Sequence, residues 1–303
     1  MTAPRKALVT GSSGFVGSHL SHYLLENGWS VDIVTTIGHD LSQLKSDISK
    51  YNIYPHDGST KGMTEIFSQS RPDMVFHLAS LFLAEHKAAD IESLIRSNIL
   101  FGTQVLEGML ASGCKYIINT GTSWQHYEDK EYSPVCLYAA TKQAFSDILY
   151  FYTEAEGLKA ITLKLFDTYG PGDVRPKLFN LFKKVAEEGT EIAMSPGDQM
   201  LDLVYIDDVI KAFVRAAEIV RTKAIDKNVE FAVSSERLIK LKHLVDLYGK
   251  IVNKTMSISW GGRSYRKREV MIPWSKGQLL PGWKAEIDIE EGIRRTVGCY
   301  IHI

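Results

Sequence analysis

The sequence predicts an α/β protein: a doubly wound parallel sheet with a second, smaller lobe gathered toward the C-terminus. Three observations predict it. Short apolar runs of strand composition alternate with amphipathic stretches through the first half of the chain. The stretch "VTGSSGFVGSHL" sets Gly11, Gly14 and Gly17 between the first such run and the first helical pattern. From Phe166 the texture changes, opening with the turn-rich "YGPGDVRPK".

The strand candidates are "KALVTG", "SVDIVTT", "MVFHLAS", "KYIINTG" and "AITLKLF". Helical patterns run from Ser18 to Asn27, from Ile91 to Ser112 and from Tyr138 to Gly157, each with apolar residues three and four apart. Past the turn-rich stretch, a helix is expected over Leu178 to Glu188. "LDLVYIDDVIKAFVRAAE" reads as a strand leading into a helix that returns to the main sheet. Residues 1–168, with a return segment over 201–234, form the expected dinucleotide-binding domain. Residues 169–200 and 235–303 form the expected substrate lobe, closing over the carboxyl edge of the sheet, where open α/β sheets bind ligands.

Composition narrows the function classes. The 303 residues are 45% hydrophobic and 23% charged, enough for a large core. A formal net charge of -1 gives no attraction to nucleic acid or to an anionic membrane. No apolar run approaches the roughly 20 residues that span a bilayer, and the first strand begins too early to leave room for a signal peptide. Cys114, Cys136 and Cys299 are odd in number and read as free thiols of a reducing, cytoplasmic compartment. His19 and His22 share a helix face without a third ligand, so no metal site is expected.

The chemistry-bearing residues fall in a telling order. A glycine turn between strand and helix lets backbone N–H groups approach a pyrophosphate at the positive helix end, although such a turn also occurs with no ligand. Ser123 closes the "NTGTSWQHY" strand and could donate to a substrate oxygen. Tyr138 and Lys142 stand four apart and share a helix face. A phenol is a weak acid at neutral pH, and a nearby ammonium favours the phenolate, so the pair could exchange a proton with a hydroxyl or ketone oxygen.

With these stretches in view, the sequence resembles the extended short-chain dehydrogenases/reductases, the group of nucleotide-sugar epimerases, dehydratases and keto-reductases built on a Rossmann-type domain. "TGSSGFVGSHL", "DMVFHLAS", "IRSNILFGTQVLEGM", "LYAATK", "FDTYGPGD", "LDLVYIDDV" and "SYRKRE" with "LPGWKAEIDIEEGI" carry the likeness over nearly the whole chain. The resemblance implies hydride transfer between a nicotinamide and a sugar carbon, with Tyr138 exchanging the proton, Lys142 holding the ribose and depressing the Tyr138 pKa, and Ser123 orienting the oxygen. It implies a cofactor site of Gly11, Ser13, Gly14, Phe15, Val16, Gly17, Thr35, Asp57, Gly58, Leu78, Ala79, Ser80, Asn98 and Phe166, together with Tyr138 and Lys142. Ser80 also lies toward the sugar. A homodimer through the helix bearing "FSDILYFYTEAE" is common among such proteins.

Three departures narrow the reaction. Counting from Gly28, the position at the second strand's end that would carry an NAD-selective carboxylate is Thr35, followed by Thr36, while Asp32 lies too early. Two hydroxyls tolerate a 2′-phosphate, which favours NADP(H) with NAD(H) as the alternative. Ser123 is followed by Trp124 and Gln125, not by the acid–base pair that water elimination needs. The usual phosphate-binding Arg is Leu201, and a familiar Asn is Asp167. Arg175, Lys177, Arg263 and Arg266 are the candidates to compensate, since guanidinium forks suit phosphate. Trp124 and Asp167 complete the expected substrate site. The function these features imply is reduction of the C4 ketone of a nucleotide-linked 4-keto-6-deoxy hexose, most like the CDP-linked 3,6-dideoxyhexose 4-reductases. A nucleotide-hexose 4-epimerase and a non-catalytic dinucleotide sensor are the alternatives.

Overall fold

The computed structural model describes residues 5–38, 40–222 and 227–301, the last three as backbone only. The Cys299 side chain lies outside that description; Cys114 and Cys136 are free. In chain order, β1 (Lys6–Thr10), α1 (Phe15–Glu26), β2 (Ser30–Thr36), β3 (Asn52–His56), α2 (Thr60–Ser70), β4 (Met74–His77), α3 (Ile91–Ile95), α4 (Phe101–Ser112), β5 (Tyr116–Thr122), α5 (Leu137–Ala155) and β6 (Lys159–Leu165) alternate. All five strand candidates and the helix from Tyr138 are in place. β7 (Asp167–Tyr169), α6 (Leu178–Glu188), β8 (Ile192–Met194), β9 (Met200–Tyr205), α7 (Ile206–Ile219), β10 (Asn228–Val233), β11 (Leu238–Lys240), α8 (Leu241–Val252), β12 (Ile258–Trp260) and α9 (Ile289–Ile301) follow.

Seven parallel strands form the main sheet in the order β10-β6-β5-β4-β1-β2-β3. Strand order reverses between β1 and β4, and that crevice is where such sheets bind ligands. Ala7, Leu8, Val75, Phe76, Ile117 and Ile161 are wholly buried, as parallel strands covered on both faces require. Two elements carry no strong sequence signal. β3 reads NIYPH, holds Pro55 and pairs only with β2 at the sheet edge, where a missing N–H is tolerated. α2 has few apolar residues, yet Met63, Ile66 and Phe67 bury themselves. The single helix expected over Ile91 to Ser112 is interrupted by a π-helical turn, Arg96–Leu100.

The segment expected to return to the main sheet splits in two. β9 does not join that sheet; it pairs with β7 and β11 in a separate three-stranded sheet. The returning strand is β10, beside β6. Helix α7 packs against β5 and β6 and also holds the C-terminal segment, because the Asp208 side chain is fully buried. Trp283 Nε1 donates to the Asp208 carbonyl (2.9 Å), and the N–H groups of Glu286 and Ile287 donate to its carboxylate (3.0 and 2.8 Å).

Candidate active site

The site grows from the carboxyl ends of β1, β4, β5 and β6. After β1 the chain turns sharply at Gly11, which has φ +75°, and a Cβ there would lie 2.6 Å from the Ala79 nitrogen. A Cβ on Gly17 would lie 2.0 Å from the Gly11 carbonyl oxygen, so only glycine lets α1 start this close to β1. Helix α1 begins at Gly14 with no side-chain cap and no carboxylate in its first turn. Its first N–H groups therefore present the positive helix end to an anion, and a dinucleotide pyrophosphate fits that cradle.

One cavity of about 210 Å³ joins this turn to the predicted chemistry. Gly11, Gly14, Phe15, Val16 and Gly17 line it together with Leu78, Ser80, Ser123, Trp124, Tyr138, Phe166, Asp167, Arg175 and Lys177. The structure thus brings together residues that the sequence scatters from the first strand to the turn after the sixth. Ser123 stands at the exit of β5, and Tyr138 enters from the first turn of α5. Sequence reasoning missed Phe82, Thr120, Gly121, Thr122, Leu165 and Thr168, which also line the cavity. The four from β5 and β6 could have been found as the strand-end neighbours of Ser123 and Phe166. Phe82 could not: it is a loop residue whose ring meets Tyr138 edge-on at 5.0 Å.

Burial pushes the Tyr138 phenol up to about 12, against which a hydrogen bond with Ser80 and the Arg175 cation act. Lys142 is buried on the same helix, and burial lowers it to about 8. Arg175 is a cation whose field favours the Tyr138 phenolate. Its guanidinium is held in place by three neighbours. It forks onto Asp173 (Nε–Oδ1 2.7 Å, Nη2–Oδ2 2.7 Å), donates to the Thr168 carbonyl (3.1 Å) and lies 4.6 Å from the Phe15 ring centroid. Lys177 faces Asp167 at 3.7 Å and lies over Phe82.

The expected basic cluster is split. Arg266 lines a smaller adjoining cavity of about 50 Å³ with Leu201, Asp202, Glu269 and Trp274, and this cavity shares Ser123, Trp124, Phe166 and Asp167 with the first. Arg266 forks onto Glu269 (Nη2–Oε1 2.8 Å, Nε–Oε2 3.0 Å) above the Trp124 ring. Arg263 is exposed and lines neither cavity. Arg175, Lys177 and Arg266 are each matched by a nearby carboxylate, so the cleft is close to neutral.

Several expected cofactor residues lie behind or beside the cavity. Asn98, buried in the π-helical turn, holds the β4 exit: its Oδ1 accepts from the Leu81 N–H (2.7 Å), and its Nδ2 donates to the Leu81 carbonyl (3.0 Å) and to Thr141 Oγ1 (2.9 Å). It therefore positions Ser80 and Tyr138 instead of lining the cavity. Ala79 donates to Thr10 Oγ1 (3.2 Å), bracing the glycine turn that contains Ser13. Thr35 lies near the end of β2. Asp57 follows β3, where its carboxylate accepts from the Ser59 N–H and hydroxyl (both 2.8 Å), and Gly58 takes φ +87° in that turn. Asp32 is wholly buried and accepts from Asn52 and Ser70, a structural role. His19 donates from Nδ1 to the Phe15 carbonyl, and burial holds it neutral, with a pKa of about 4. Among the described residues no group of three metal-ligating side chains occurs, and no helix is long and apolar enough to cross a membrane.

Comparison with known proteins gives the family and the fold. Residues 7–230 match the NAD dependent epimerase/dehydratase family. CDP-abequose synthase of Salmonella muenchen is 26% identical over 97% of this chain and 97% of its own. UDP-glucuronate 4-epimerase of Thermodesulfobacterium geofontis is 26% identical over 96% of this chain and 94% of its own. The crystal structure of the Bacillus cereus UDP-glucuronic acid 4-epimerase, in complex with UDP-glucuronic acid and NAD, shares the fold at a TM-score of 0.84 and 21% identity, covering 98% and 99% of the two chains.

Proposed function

Because the chain belongs to the NAD dependent epimerase/dehydratase family, and is an enzyme of the extended short-chain dehydrogenase/reductase kind, we propose that it reduces the C4 ketone of a nucleotide-linked 4-keto-6-deoxy hexose. Membership in that family sets the sensor alternative aside. The observation that carries the reading is the single cavity joining the glycine turn to Ser123 and Tyr138, with Trp124 and Gln125 following Ser123. The relation to CDP-abequose synthase supports a CDP-linked substrate, with a 3,6-dideoxy sugar within its range.

A reduced nicotinamide would supply the hydride when bound. Gly11, Gly14 and Gly17 would hold its pyrophosphate, Asp57 would receive the adenine end, and Thr35 without a carboxylate favours NADP(H) over NAD(H). Tyr138 gives its proton to the oxygen that becomes an alkoxide at C4, and its high folded pKa keeps that proton available at neutral pH. Ser123 donates a hydrogen bond to the same oxygen and so fixes the carbonyl for attack. Arg175 and Lys177, and Arg266 in the adjoining cavity, receive the diphosphate. Trp124 and Phe82 exclude water and pack against the sugar.

A second reading, 4-epimerisation with NAD retained, is supported by the UDP-glucuronate 4-epimerase relative. The test mixes the enzyme with NADPH or NADH and CDP-, dTDP- or GDP-linked 4-keto-6-deoxy hexoses while nicotinamide absorbance is followed. Stoichiometric loss with one pair is the expected result. No loss with any pair, in protein that binds dinucleotide, would sink the reductase reading and leave epimerisation.

Helices α3 and α5 expose Ile91, Ile95, Tyr150 and Phe151, which supports a homodimer through these helices. Light scattering in solution should give twice the 34.0 kDa chain mass.

A further inference from the structure

The loop that follows Ser123 is seated by the far end of the chain. Arg268 Nη2 donates to Ser133 Oγ (2.6 Å), and its guanidinium lies 4.2 Å from the Tyr127 ring centroid. Trp274 stacks on His126 with centroids 3.9 Å apart and planes 13° from parallel. Ser275 donates to Asp129 twice, N–H to Oδ1 (2.7 Å) and hydroxyl to Oδ2 (2.8 Å), and Lys276 Nζ donates to the Asp129 carbonyl (2.9 Å).

The tip of this loop is bent against its own preference. Glu128 and Asp129 are consecutive left-handed residues, with φ of 55° and 59°, and neither is glycine. Such a pair persists where the surroundings over-determine it. Here the determinant is the Ser275 and Lys276 grip on Asp129. The tip is in turn tied to its base: Tyr127 N–H donates to the Ser133 carbonyl (2.8 Å), Ser133 N–H to the Gln125 carbonyl (2.8 Å), and Val135 N–H to the Trp124 carbonyl (2.9 Å). A displaced tip therefore moves Trp124, which adjoins Ser123. The same loop supplies one wall of the smaller cavity, and the segment carrying Arg266, Glu269 and Trp274 supplies the other.

We propose that Asp129 is a positioning residue: held by Ser275, it sets the separation of the two walls and, through the loop, the placement of Ser123 and Trp124. The proposal rests on the reading of these cavities as the nucleotide-sugar site. Nothing in the sequence marks Asp129, because its partners lie 146 and 147 residues away.

Two variants separate positioning from folding. Asp129→Gly keeps the left-handed turn without strain and loses the carboxylate, so the protein folds. Asp129→Asn tolerates the same backbone and keeps an oxygen for the Ser275 N–H. Both are compared with the unaltered enzyme for hydrogen exchange of residues 123–135, for NADPH affinity, and for affinity toward CDP, UDP, dTDP and GDP. In Asp129→Gly we expect exchange across the loop to rise about tenfold or more, and the best diphosphate to bind about tenfold more weakly. NADPH affinity should hold, and Asp129→Asn should stay close to the unaltered enzyme. Unchanged exchange in Asp129→Gly overturns the proposal, and so does faster exchange with undiminished diphosphate affinity. If the unaltered enzyme binds none of the four diphosphates, the substrate reading falls separately. Exchange at Ser123–Gln125 then decides: acceleration sustains the positioning role, and none removes it.

Discussion

The glycine turn bounds the larger cavity and the C-terminal segment the smaller one that adjoins it, yet the chain assembles them in opposite ways. Around Gly11–Gly17 the close contacts of the glycines are local or made to the exit of the adjacent strand, and backbone does most of the shaping. Around Arg266–Lys276 the shape comes from side chains that meet partners well over a hundred residues away. A site of the first kind tolerates almost no change, since a single Cβ collides with main chain. A site of the second kind yields in steps, one side-chain contact at a time.

Tyr138 lines the larger cavity, and altering it should cost the most. Tyr138→Phe keeps the ring that packs on Phe82 and removes the proton; turnover should fall by about 10²–10⁴-fold, with dinucleotide affinity retained. Nicotinamide absorbance and a binding titration check both halves of that expectation. Next in size is Gly17→Ala, whose Cβ would overlap the Gly11 carbonyl. It should lower unfolding stability by about 3 kcal/mol and abolish dinucleotide binding together, as denaturant titration with and without dinucleotide would show.

Lys142 gives a test with a pH signature. Its folded pKa of about 8 lies below the ordinary value of 10.5. Between those pH values the unfolded chain holds the proton and the folded chain does not, so stability rises with pH across that window. Below pH 8 the buried ammonium is a full liability. Lys142→Met should therefore stabilise the dinucleotide-free protein at pH 7, by up to about 3 kcal/mol, with the advantage shrinking from pH 8 toward 10.5. Urea unfolding at several pH values would measure it, and a pH-independent difference would contradict it. The mildest change belongs to the C-terminal side. Arg266→Lys cannot fork onto Glu269 and should weaken nucleoside diphosphate binding by about 1 kcal/mol with the fold intact, a graded loss readable by calorimetry.

Legibility in the sequence follows the same division. β1, α1 and the Tyr138–Lys142 pair are written in consecutive residues, and the structure places them as the sequence predicts. β3 leaves no mark because an edge strand with Pro55 has no alternation to detect. The π-helical turn that buries Asn98 leaves no periodic trace either, and the bonds by which Asn98 ties Leu81 to Thr141 cannot be read from spacing. Arg175 looks like a phosphate ligand from its charge alone. That its field falls on Tyr138 depends on how Asp173 and Thr168 fold it back over Phe15, a three-dimensional matter. Arg263 and Arg266, three residues apart in one loop, part company for the same reason.

Asp208 ties α7 to residues 283–287, and α7 itself lies on the main sheet. The C-terminal segment is therefore no detachable appendage. A chain ending before Trp283 would leave the buried Asp208 carboxylate without the two N–H groups that donate to its Oδ2. Attempts to express the dinucleotide-binding half alone should yield insoluble material, and limited proteolysis should find no stable intermediate fragment that ends between α7 and α9.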